Sequence, residues 1–171
     1  MSANEGLPIP THIAGEFYAW LWWTSERNGG QFEMPTPVGR VDVWIDARIA
    51  FRNPDEQKVA AVMTGENPSA TLEARAALAG GKVLQDLRIG IRRDDREFFA
   101  TLKGPAMHLA QAKLPSVVAG GEEGLFERMH LYEELCLIVA GLFREWSALR
   151  CSDEWDATVL PDLRVWVAGQ S

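Results

Sequence analysis

Between Ile13 and Trp23 the chain reads Ile-Ala-Gly-Glu-Phe-Tyr-Ala-Trp-Leu-Trp-Trp, which crowds three of the seven tryptophans into about three helical turns. Helical spacing places Ile13, Phe17, Trp20 and Leu21 on one stripe. Tyr18 with Trp22, and Ala19 with Trp23, carry the apolar surface round the side. A helix wrapped in this way needs cover on more than one side, either from two layers of its own domain or from another chain. Tyr18, Trp22 and Trp23 are the side chains assigned to such an interface, with Tyr18 or Trp22 expected to stay partly exposed in the isolated chain.

With 171 residues the chain has length for one well-buried core, and 47% hydrophobic against 24% charged residues is a globular rather than a disordered balance. Cys136 and Cys151 make no disulfide framework, so a reducing cytoplasm is expected. Met1 to Pro10 reads as an extended leader without signal-peptide character, and no segment is long and apolar enough to span a bilayer. Residues 11–171 are expected to form a single α+β domain. The net charge of −7 argues against binding nucleic acid over the whole surface, because phosphate neutralisation needs concentrated positive charge.

Along the chain, Thr11 is a predicted N-cap and Gly29-Gly30 a stop, giving a helix from Thr11 to Asn28. A short strand follows at Gln31 to Met34. Alternation of Val41, Val43 and Ile45, resuming at Ile49 and Phe51 beyond Asp46-Ala47, predicts a hairpin over Arg40 to Phe51. A strand over Lys58 to Thr64 and an Ala-rich helix from Ser69 to Ala79, closed by Gly80-Gly81, come next. Then Val83, Leu87, Ile89 and Ile91 share one strand face and Lys82, Asp86, Arg88 and Arg92 the other. Arg93-Asp94-Asp95 turns the chain into a strand from Arg96 to Lys103, and Met107 to Leu114 adds an edge.

The longest predicted element is a helix from Glu123 to Arg150. Leu125, Met129, Tyr132, Cys136, Val139, Phe143 and Trp146 recur on it in steps of four and three, and Leu131, Leu135, Ile138, Leu142 and Leu149 widen the stripe. A last helix, capped by Ser152, is kinked or divided by Pro161. The fold class is α+β: an antiparallel sheet of five to six strands flanked by three to four helices, one of them long and near the C-terminus.

No catalytic spacing emerges. Gly80-Gly81-Lys82 ends a helix where a phosphate loop would begin one, and no Ser or Thr follows the lysine. His12, His108 and His130 stand at no metal-ligand spacing with each other or with the cysteines, and Glu133-Glu134 and Asp94-Asp95 read as solvated charge. No cofactor and no metal are expected. The constellation with most content is basic: Lys82, Arg88, Arg92, Arg93, Arg96 and Lys103 on or beside the hairpin could meet phosphates, although a solvated sheet face is the commoner meaning of such a run.

The order of these parts is similar to a known family. The helix Gly15-Glu16-Phe17-Tyr18-Ala19-Trp20-Leu21-Trp22-Trp23-Thr24-Ser25-Glu26, the segment Val43-Trp44-Ile45-Asp46, the helix end Leu78-Ala79-Gly80-Gly81-Lys82-Val83, and the strands Leu87-Arg88-Ile89 and Phe98-Phe99-Ala100-Thr101-Leu102-Lys103 resemble the C-terminal half of RdgC, the bacterial recombination-associated family. The likeness runs from Ile13 to Lys113 and is most specific from Glu73 to Lys113. It implies a homodimer that encircles duplex DNA without strong sequence preference and catalyses no reaction, nucleoid-associated if DNA is bound. It also implies a separate partner supplying the N-terminal half of the clamp, with DNA contact confined here to the basic hairpin residues. The alternative is a stand-alone structural or adaptor dimer that binds no nucleic acid.

Overall fold

The computed structural model describes residues 13–56 and 58–169, so the leader at Met1 to Pro10, the Thr11 cap and His12 lie outside the described residues. Helix α1 (Ile13–Arg27) is followed by β1 (Gln31–Glu33), β2 (Arg40–Arg52) and β3 (Val59–Thr64). A single 3₁₀ turn, Pro68–Ala70, leads into α2 (Leu72–Ala79), then β4 (Val83–Arg93), β5 (Arg96–Lys103), β6 (His108–Lys113), α3 (Gly121–Arg150) and α4 (Leu160–Val167). The strands form one six-stranded antiparallel sheet in the order β1-β2-β4-β5-β6, with β3 beside β1 along the same edge of β2. Among the described residues the fold is α+β, with four helices including the long α3.

The hairpin predicted over Arg40 to Phe51 is instead one continuous strand. Ile45 faces Ile89 and Ile49 faces Leu87, so four steps along β2 match two along β4, and the two surplus residues bulge. An even insertion preserves alternation, which is why Val41, Val43, Ile45, Ile49 and Phe51 all reach the core. A second irregularity has the opposite parity. Asp86 pairs with Ala50 but Leu84 with Phe51, so one extra residue in β4 brings Leu84, not Gln85, into register with the core-facing Phe51.

Helix α1 crosses the core face of β2 and β4 and is covered on its remaining sides by its own chain. Phe17 meets Phe143 edge-on at 5.3 Å and Trp146 at 5.7 Å, Trp20 meets Phe32 at 6.0 Å, and Trp22 meets Trp166 edge-on at 4.9 Å. The aromatic excess is therefore spent on a clamp between sheet, α3 and α4. Ser69, expected to start α2, belongs to the 3₁₀ turn, and Thr71 caps α2 by accepting the Ala74 N–H at 3.3 Å. Ser152 does not cap the last helix: its hydroxyl donates back to the Leu149 carbonyl, and a π-helical turn, Trp155–Val159, precedes Pro161.

Candidate functional site

The basic hairpin residues divide between two sides of the sheet. Arg93 pairs in register with Arg96 across the Asp94-Asp95 turn, and both reach α3. Arg93 donates to Glu134 Oε1 at 2.6 Å and to the Pro37 carbonyl at 2.7 Å, and Arg96 donates to both Glu134 oxygens at 2.9 Å. Glu134 is only 8% exposed, so the expectation of solvated charge at Glu133-Glu134 is corrected for it. A buried carboxylate of this kind is stable only when paired and hydrogen-bonded. The two arginines are committed to locking the hairpin turn against α3. Lys82 is likewise engaged away from a common strip, donating to Asn53 Oδ1 at 3.0 Å from just before β4.

Arg88, Arg92 and Lys103 remain on the face of the sheet opposite α1. Arg88 Nε donates to Asp46 at 2.9 Å and Arg92 Nη2 to Asp42 at 3.0 Å, two cross-strand ion pairs between β4 and β2. Between them Gly90 faces Trp44, and a Cβ on Gly90 would overlap the indole. Phe99 closes on Trp44 edge-on at 5.8 Å, and the Lys113 ammonium lies 5.6 Å from the Phe99 ring. This face thus offers two half-buried aromatic rings framed by guanidinium groups. Each of those arginines already carries its own carboxylate, which offsets the charge a phosphate would meet.

The interface assigned to the aromatic helix is overturned. Tyr18 and Trp22 are 0% exposed and Trp23 is buried, because the sheet and helices of the same chain cover them. The Tyr18 hydroxyl donates to the Gly104 carbonyl at 2.9 Å, and burial, reinforced by the charge of Asp86, raises its pKa well above the usual phenol value. At the end of α1, the Glu26 carboxylate accepts the indole N–H of Trp22 at 2.7 Å and of Trp166 at 2.9 Å, tying α1 to α4. Beside it opens a cleft of about 450 Å³ lined by Trp23, Glu26, Arg27, Arg75, Asp162 and Trp166. Arg27 lies over Trp23 and pairs with Asp162, and Arg75 lies over Trp166 near Glu26, so the charges in the cleft cancel. Among the described residues, no three His, Cys, Asp or Glu side chains gather as metal ligands.

Leu125, Met129 and Tyr132, which periodicity assigns to the apolar stripe of α3, are not in the core. Leu131, Leu135, Ile138 and Leu142 form the buried side of α3, while Leu125, Phe126, Met129, Tyr132 and Leu137 are each 43–60% exposed. The apolar stripe is covered by α1 at Phe143 and is bare toward its N-terminal end. A signal for this was present in length: 30 residues of helix reach about 45 Å, and the 8-residue strand β5 only about 27 Å.

No family model, no curated protein and no solved structure matches this chain. Fold and surfaces define a mixed α+β protein with a paired-charge sheet face and an uncovered apolar helix, and among the described residues no helix is long and apolar enough to cross a membrane.

Proposed function

We propose that this chain is a non-enzymatic assembly component of RdgC type, whose role is exerted through association with another chain. The observation that carries this reading is the bare half of α3, where five large apolar side chains stand in solvent within 13 residues. Exposed apolar surface concentrated in this way marks protein–protein contact. In the RdgC-like version of this role the assembled particle holds duplex DNA, and the open sheet face supplies the contact through Arg88, Arg92 and Lys103, joined by Lys113. The Asp42 and Asp46 pairings favour the adaptor version, in which the same face is simply a solvated surface.

Light scattering and duplex-DNA fluorescence polarisation on the same preparation test both levels. Association at tens of micromolar with salt-sensitive DNA binding supports the clamp component. Association without DNA binding supports the adaptor. A strictly monomeric chain that also captures no N-terminal-half partner overturns the assembly role.

A further inference from the structure

We infer that the partner of the bare α3 surface is a second copy of this chain, packed antiparallel with a two-fold axis beside Met129; this rests on the assembly reading above. From Gly121 to His130 every residue of α3 except Gly124 is exposed, and the free apolar side chains continue to Leu137. Beyond that point α1 occupies the stripe, with Phe17 against Phe143 and Trp146. The usable segment is therefore 121–137, about 25 Å long. Antiparallel pairing about Met129 lays this segment on its own copy, Gly121 opposite Leu137, and ends on both sides where α1 begins. A parallel pair would bring the two α1-covered halves together, where the stripe is already filled. Antiparallel packing also opposes the two helix dipoles favourably.

The area agrees with a modest, reversible dimer. Five large side chains about half exposed offer on the order of 500 Å² per copy and about 1,000 Å² for the pair, the lower limit for a specific interface. In this register Phe126 of one copy meets Tyr132 of the other, and Leu125 lies against the methylene stem of Glu133, whose carboxylate stays in water.

Disulfide trapping decides it, in a full-length background carrying Cys136→Ala and Cys151→Ser. Met129→Cys should cross-link to itself under mild oxidation. Leu125→Cys and Tyr132→Cys should each fail to do so, since antiparallel copies of those positions are offset by about 12 Å and about 9 Å along the axis, beyond disulfide reach. A mixture of Leu125→Cys and Glu133→Cys chains should link as a heterodimer. Self-linking at all three positions would mean a parallel pair and overturn the proposal. A dimer by light scattering that links at none of them would place association elsewhere, overturning the inference while leaving the assembly role intact. A monomer at tens of micromolar, unchanged by Met129→Glu, would overturn it as well. Circular dichroism on each variant establishes that these surface substitutions fold.

Discussion

At the scale of single residues, Glu134 is the clearest case of a charge whose role comes from its surroundings. It accepts three hydrogen bonds from Arg93 and Arg96, and these hold the β4-β5 turn to α3. Glu134→Gln leaves both guanidiniums without their counter-charge. The expected loss is about 1–3 kcal/mol, below the full cost for a buried pair because the arginines are partly solvated, and denaturant midpoints check it. Tyr18 supplies a pH test. Its pKa is raised from 10.0 by burial and then by Asp86, so the folded state favours the neutral phenol. That contribution is complete below pH 10.0 and is lost progressively as pH climbs above it toward the folded-state value. Tyr18→Phe should cost about 1 kcal/mol at pH 8 through the lost bond to Gly104. By pH 11 the difference should close or reverse, because the wild type loses about 1.4 kcal/mol per pH unit there. A constant difference between the two proteins at both pH values would refute the linkage.

At the scale of elements, α1 and the paired strands β2 and β4 make opposite uses of aromatic bulk. On α1 the tryptophans are interior, so Trp22→Ala should cost about 3–5 kcal/mol in thermal or chemical unfolding and leave the oligomeric state of the folded protein unchanged. A shift in light scattering with no loss of stability would restore the interface role that burial removes. On the open face of the sheet, Trp44 uses the missing side chain of Gly90 as its seat. Gly90→Ala should displace the indole and destabilise by about 1–3 kcal/mol. Trp44→Ala should relieve that penalty in a double-mutant cycle, whereas additive effects would mean that the contact is not the cause.

For the molecule as a whole, electrostatics sets how strongly DNA could be held. With a net charge of −7 and the open-face arginines paired with aspartates, binding should use at most two or three phosphate contacts. The slope of log affinity against log salt should then be about −2 to −3. Asp42→Asn frees Arg92 and should strengthen duplex binding in a polarisation titration, while Arg92→Glu should weaken it. If Asp42→Asn leaves a measurable affinity unchanged, the contact surface is elsewhere; if no affinity is detected for either protein, the adaptor version of the proposed role stands.

Much of the architecture was readable from local chemistry. The Gly80-Gly81 stop, the alternation through Leu87, Ile89 and Ile91, the Asp94-Asp95 turn and the repeat along α3 are written in neighbouring residues, and neighbours suffice to specify helix, strand and turn. The two bulges were not readable in this way, because a surplus residue in β2 or β4 exists only relative to the strand beside it. Nor could periodicity tell which apolar helix surface would be covered: Tyr18 and Trp22 are sealed by α4 and the sheet, while Met129 and Tyr132, equally apolar in pattern, extend past the reach of α1. The arginines of the hairpin were visible as a basic run, but their carboxylate partners Asp42, Asp46 and Glu134 lie 38 to 50 residues away in sequence. Charge composition is additive along a chain, whereas pairing and burial depend on distance in space, and the tertiary fold alone brings those groups together.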